Sequence, residues 1–179
     1  NVVKSGLLLF VGTLVGITLA RYVKSLWEIV PVCIMMTFAD LFSWLYGPTA
    51  GFALQIQQYY LQPEGPPPFI DMILIKLVFP GSVGLAPVFG ISDWIMVVFF
   101  ASVTSRLKVN DNLIGASGML LAKQGKIGRY LPVSVVALFA ALTLAQATGL
   151  FIPALPFIAL TMFLWYAARL LLNRCRRQV

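Results

Sequence analysis

Two carboxylates stand inside otherwise apolar stretches of this 179-residue chain, Asp40 and Asp93. A charged side chain at membrane depth costs about 2.5 to 3.5 kcal/mol on insertion scales, so each of them needs a reason to be there. Asp40 is six residues from the Tyr46 end of its stretch and Asp93 is eight from the Leu85 end. At 1.5 Å per helical residue both lie roughly 9 to 12 Å from the same side of the membrane. Two carboxylates a few Å apart do not readily both ionise, so one retains its proton. The ionised partner can then take a proton from water while the protonated one polarises a peptide carbonyl, a hydrolysis that needs no histidine and no metal. Two other roles suit the same pair. Each Asp can hydrogen-bond a neighbouring helix, or the pair can carry protons or cations. The pair alone does not choose among them.

The rest of the composition narrows the chemistry. The chain contains no histidine, which removes His-based acid-base catalysis, His-containing zinc sites and His-dependent triads. Gly115, Ala116, Ser117 and Gly118 spell a Gly-x-Ser-Gly serine motif, but such a serine needs a histidine base, so these residues read as a turn. A His-Glu-x-x-His zinc protease is equally impossible. Only two cysteines occur, Cys33 in an apolar run and Cys175 in a basic tail, too few for a disulfide framework. No metal and no cofactor is expected.

The elements that must position the aspartates are membrane spans. Hydrophobic residues make up 60% of the chain and charged residues 11%, with a mean hydropathy of +0.91. Soluble domains carry about 25% charged residues, so a soluble globular protein is excluded. The expected fold is all-α, a polytopic transmembrane helical bundle forming one domain over 1–179, with further spans expected upstream. About five spans fit the apolar runs, near 5–23, 29–46, 85–105, 131–149 and 152–172. Gly12, Gly16 and Ala20 recur every four residues in the first span and predict a smooth packing seam. A polar loop over 47–71 holds Gln55, Gln57, Gln58, Tyr59, Tyr60, Gln62 and Glu64, then Pro66, Pro67 and Pro68. The apolar piece 113–122 within the basic segment 106–130 is expected at the interface. Trp27, Trp44, Trp94 and Trp165 read as an aromatic belt, with Trp94, beside Asp93, the exception.

Eleven of the 13 Lys and Arg fall in the first-to-second loop, in 106–130 and at the C-terminal end, leaving Lys4 and Lys76 on the other side. The positive-inside rule then makes the C-terminus and 106–130 cytoplasmic and the 47–71 loop non-cytoplasmic. Arg174, Arg176 and Arg177, beside a span, are expected to face anionic lipid headgroups rather than nucleic acid.

Three blocks resemble the GxGD intramembrane aspartyl proteases, the family of presenilin and signal peptide peptidase. Phe38, Ala39 and Asp40, followed by Leu41, Ser43, Tyr46, Gly47 and Pro48, resemble the first aspartate motif, with Ala39 where the family has tyrosine. Gly90, Ile91, Ser92 and Asp93 resemble Gly-x-Gly-Asp, with Ser92 at the second glycine. Upstream, Lys76, Leu77, Val78, Phe79 and Pro80 resemble the Lys-Leu-x-Phe-Pro stretch of signal peptide peptidases. Pro153, Ala154, Leu155 and Pro156 match the Pro-Ala-Leu motif and its following proline. The resemblance spans about 27–172, in family order, and corresponds to the catalytic C-terminal half of a nine-span family. The inferred orientation is that of signal peptide peptidases.

The resemblance implies an intramembrane aspartic endopeptidase with Asp40 and Asp93 as the catalytic dyad. It implies that Pro153, Ala154, Leu155, Gly90 and Ser92 bind substrate. Its partners would be transmembrane-helix substrate peptides and the lipid bilayer, in a multi-pass integral membrane protein. A helical substrate must unwind before attack, and in lipid an unwound backbone needs replacement hydrogen-bond partners. The Pro-Ala-Leu segment supplies them in the family by pairing with the substrate as an extended strand. The 47–71 loop, next to the Asp40 span, is the expected gate. An inactive helix-binding relative and a proton-coupled transporter are the competing readings. A transporter would show an internal repeat, and none is visible in the sequence.

Overall fold

The computed structural model describes residues 2–47, 49–62, 65–78, 85–148 and 153–176. Pro48, Glu64, Phe79, Pro80 and Arg177, each named above, lie outside the described residues. Among the described residues seven α-helices and one antiparallel strand pair follow in the order α1 (Val2–Ala20), α2 (Ile29–Leu45), α3 (Thr49–Leu61), β1 (Leu74–Val78), β2 (Leu85–Gly90), α4 (Ile91–Arg106), α5 (Gly118–Lys123), α6 (Val133–Thr148) and α7 (Ala154–Arg176). The protein is therefore mostly helical. Among the described residues three segments are long and apolar enough to cross a membrane, Val2–Ala20, Leu26–Ser43 and Ala154–Leu171. Helices α4 and α6 have 16 residues each.

Packing in α1 is inverted relative to a soluble helix. Its buried residues are Ser5, Gly12, Gly16 and Ala20, while Leu7, Phe10 and Leu14 are exposed. Small residues let the α4 backbone approach, as close packing between helices in lipid requires. A Cβ at Gly16 would stand 2.7 Å from the Ile95 carbonyl oxygen, and one at Gly12 3.1 Å from Trp94 Cδ1. The expected seam is thus real, and it faces α4. Trp94 strengthens it, its Nε1 donating to the Leu9 carbonyl at 3.2 Å and to Thr13 Oγ1 at 3.1 Å. Arg106, at the other end of α4, donates to the Ala20 carbonyl and so caps α1.

Helix α4 is the centre of the molecule. Val97, Phe99, Phe100 and Val103 are buried on it, against Leu138 of α6 and Ile158 and Met162 of α7. Ile29 and Cys33 of α2 join the same core, and α2 packs on α7.

Four expectations are corrected. The run 85–105 is not one span: Leu85–Gly90 is a strand and the helix begins at Ile91. The strand pairs with Leu74–Val78, and the register shifts between Ile75 and Lys76 so that Phe89 and Pro87 take successive partners and Val88 is left over. A bulge beside Pro87, which has no N–H to donate, is where a strand tolerates proline. The strand pair also means that the fold is not purely all-α. The 47–71 segment is not all loop, because Thr49–Leu61 is helical and Phe69–Met72 forms a 3-10 turn. The first helix runs over Val2–Ala20 rather than 5–23, with a turn at Arg21 and Tyr22.

Of the piece 113–122, only the residues within Gly118–Lys123 are helical. Gly115 sits at φ +100, which is the turn expected at the Gly-x-Ser-Gly. Asn112 organises this connection: its Nδ2 donates to the carbonyls of Ile114, Ala116 and Arg129, and its Oδ1 accepts from the N–H groups of Ile114 and Leu131. Asp111 beside it accepts from Thr104 Oγ1 at 3.0 Å and from Tyr130 Oη at 2.6 Å. Burial, then the bond to Asp111, holds the Tyr130 hydroxyl well above the usual tyrosine range.

The seam predicts a sharp contrast between two glycines of one helix. Gly16→Leu should separate α1 from α4 and lower the stability of the purified protein by about 1 to 3 kcal/mol through overpacking. Gly6→Leu, where an added Cβ meets nothing within 4 Å, should leave the melting temperature unchanged or raise it. A second expectation concerns pH. A tyrosine that holds its proton more tightly when folded stabilises below its unfolded pKa, about 10, and that contribution is lost as pH rises through it. Alkaline titration of thermal stability should therefore show a decline above about pH 10 that Tyr130→Phe reduces.

Candidate functional site

Each aspartate meets the start of a helix, Asp93 that of its own and Asp40 that of another. Asp93 is the third residue of α4, and its Oδ2 accepts the Gly90 backbone N–H at 3.0 Å. Asp40 is half-buried one turn and a half before the end of α2, and its carboxylate accepts the backbone N–H of Leu155, the second residue of α7. Asp93 lies near enough to Asp40 to feel its charge. The N-termini of α4 and α7 therefore point their partial positive charge at two neighbouring carboxylates, a favourable arrangement for anions.

The prolines explain why Leu155 does this. A helix start leaves up to four backbone N–H groups without an internal partner. Pro153 precedes α7 and Pro156 is its third residue, and neither has an N–H to offer. Ala154 and Leu155 are the residues of this turn that still carry one, and the Leu155 N–H goes to Asp40. The Pro-Ala-Leu-Pro sequence is thus a helix start trimmed to two donors, one of which holds the aspartate.

Gly90 and Ser92 flank Asp93, at the end of β2 and the start of α4. A Cβ on Gly90 would lie 3.3 Å from Ser92 Oγ and 3.6 Å from Asp93 Oδ2, so glycine relieves crowding beside the carboxylate. Ser92 is exposed and helical, and its backbone is outside the positive-φ region, so no glycine is needed there for conformation. Trp94 turns to α1 rather than to the aspartates. Where a gate was expected, α3 and the turn after it frame a polar cleft of about 580 Å³ lined by Gln55, Gln58, Tyr59, Gln62, Pro66 and Pro68.

The strand pair sets where α4 begins. Strand β1 lies against α1, with the Lys76 N–H donating to Ser5 Oγ at 3.1 Å. Lys76 Nζ pairs with Asp71 Oδ2 at 2.6 Å, the two side chains 13% and 6% exposed. Lys4 Nζ reaches the Asp71 carbonyl at 3.4 Å. The Ile91 N–H donates to the Ile73 carbonyl at 3.2 Å, which ties the first residue of α4 to the base of β1. Sequence reasoning passed over Asp71. The available signal was a pair of opposite charges flanking the apolar run Met72, Ile73, Leu74 and Ile75.

Among the described residues no group of His, Cys, Asp and Glu could hold a metal ion. No family model, curated protein or solved structure matches the chain.

The buried pair should be the anchor of the sheet. Lys76→Met removes the cation of a buried ion pair, and removing one partner of such a pair costs about 3 to 5 kcal/mol. Adding Asp71→Asn should recover a large part of that loss in denaturant or thermal unfolding. A single variant as stable as the wild type would show that β1 is held by other contacts.

Proposed function

We propose that the chain is an intramembrane aspartyl protease of the presenilin and signal peptide peptidase kind, hydrolysing peptide bonds within transmembrane segments. The observation that carries this reading is the Leu155 N–H on the Asp40 carboxylate, with Asp93 in electrostatic reach of it. It joins in one place the three sequence blocks on which the resemblance rests.

In this reading α1, α2, α4, α6 and α7 cross the bilayer. Helices of 16 residues are about 24 Å long, which local thinning of the bilayer accommodates. The C-terminus and the basic 106–130 segment are cytoplasmic, in line with the distribution of Lys and Arg. The dyad shares one proton: one carboxylate activates a water and the other donates to the scissile carbonyl oxygen, and the roles reverse as the amine leaves. An unwound substrate needs backbone partners in this setting. Strand β1 has α1 on its other side, whereas β2 has no second partner strand among the described residues. The free edge of β2 runs directly into Gly90 and Asp93, so an extended substrate adding there would present its backbone beside the dyad.

The test is cleavage of a single-span reporter by detergent-purified protein, with product masses read out. Asp40→Asn and Asp93→Asn each keep an acceptor for their N–H partner, so both variants should fold. Each should lose about 10²- to 10⁴-fold in cleavage rate, the usual contribution of a positioned acid or base. Ser92→Gly should retain activity, since either residue suits a helical backbone. Absence of cleavage by a folded wild type across several reporters would favour the second reading, an inactive helix-binding relative in which the aspartates only cap α4 and α7. The Gly90 bond to Asp93 is the observation on that side.

A further inference from the structure

Ser105 lies twelve residues along α4 from Asp93, about 18 Å away at the opposite end of the helix. There a second cavity of about 340 Å³ opens between the end of α4, α5 and Tyr130. Its lining includes the apolar Val109, Met119 and Ala122. It also includes Ser105, Lys108 and Ser117.

These three are hydrogen-bond donors whose side chains have no partner among the described residues. Ser117 precedes α5 without using its hydroxyl as a cap. Lys108 stands at φ 55, the sole non-glycine residue with positive φ among the described residues, in a conformation that costs an L-residue roughly 1 to 2 kcal/mol. Asp111 also lines the cavity, but its Oδ2 is engaged by the hydroxyls of Thr104 and Tyr130. Against that one carboxylate the cavity sets three donors, one of them a cation. Around it the segment 106–130 carries Arg106, Lys108, Lys123, Lys126 and Arg129 against the single acid Asp111, a field that concentrates anions.

We propose that this cavity is a phosphate-binding site, with Lys108, Ser105 and Ser117 donating to the phosphate oxygens. Its two natural sources are an anionic phospholipid headgroup, whose glycerol and upper acyl carbons would lie on Val109, Met119 and Ala122, and free phosphate. The site is independent of the proposed protease reading, being at the other end of α4 from both aspartates.

Native mass spectrometry of the delipidated, detergent-purified chain tests it, with phosphatidylglycerol, diacylglycerol of the same acyl chains, and inorganic phosphate as probes. Phosphatidylglycerol should be retained and diacylglycerol should not. Retention that survives excess inorganic phosphate identifies the lipid as the ligand, whereas displacement of the lipid by phosphate identifies the free anion. Lys108→Gln should weaken binding about tenfold, the loss of one charge-assisted hydrogen bond. Ser105→Ala with Ser117→Ala should weaken it as well, and provides the same comparison if Lys108→Gln does not fold. Lys123→Gln removes a neighbouring charge outside the cavity lining and should bind as the wild type does. Equal retention of the two lipids, or equal loss in Lys123→Gln and Lys108→Gln, would overturn the site in favour of general attraction to a basic surface.

Discussion

Inside a bilayer no water is available to satisfy a backbone N–H or a carboxylate, so each must find its partner in the protein. The two aspartates share one device that satisfies donor and acceptor without water, an N–H group at the start of a helix. Asp93 takes the Gly90 N–H at the start of its own helix, and Asp40 takes the Leu155 N–H at the start of another. Each bond satisfies one orphan donor and one carboxylate together. The rest of the architecture follows from having to bring those two helix starts to one place.

For α4 the start is fixed from outside the helix. The strand pair Leu74–Val78 and Leu85–Gly90 ends where α4 begins; β1 is held to α1 by Ser5, and the Asp71–Lys76 pair ties β1 to the 3-10 turn before it. The glycine seam of α1 then runs along α4 through Gly12 and Gly16, and Arg106 closes the far end on Ala20. Close approach matters because lipid gives no hydrophobic drive for helices to associate, so contact distance and interhelical hydrogen bonds must supply it. For α7 the start is fixed by its own sequence, where Pro153 and Pro156 withdraw two donors and leave the Leu155 N–H for Asp40.

What the sequence displayed plainly was whatever depends on local chemistry or simple spacing. The four-residue repeat of small residues announced the α1 seam, and the limits of α2, α6 and α7 fall within a few residues of the apolar runs 29–46, 131–149 and 152–172. The strand over Leu85–Gly90 was hidden because it continues straight into the apolar α4, and in a membrane protein neither element needs the polar alternation that separates strand from helix in water. Helix α3 was hidden for the opposite reason: Gln55, Gln57 and Gln58 read as loop, although glutamine is a good helix former and nothing in Thr49–Leu61 breaks a helix beyond Gly51. At the site, Asp40, Asp93 and the Pro-Ala-Leu turn were legible as motifs. Asp71 was not, because its meaning depends on Lys76 returning along a strand.

A carboxylate that caps a helix is not thereby consumed. It has two oxygens and about four lone-pair positions, and a single N–H uses one of them. Asp93 gives Oδ2 to Gly90, and the bond fixes the side chain against the α4 backbone rather than filling it. The same holds for Asp40 and Leu155. Capping therefore orients each group and leaves capacity for a water or a shared proton, which is what a catalytic pair needs and what a purely structural cap does not use. Ser92 fits the same logic. Its backbone is helical, so the position imposes no demand for glycine, and the crowding that does demand glycine lies at Gly90, where a Cβ would press on Ser92 Oγ and approach the Asp93 carboxylate. The position where the geometry requires a glycine is Gly90.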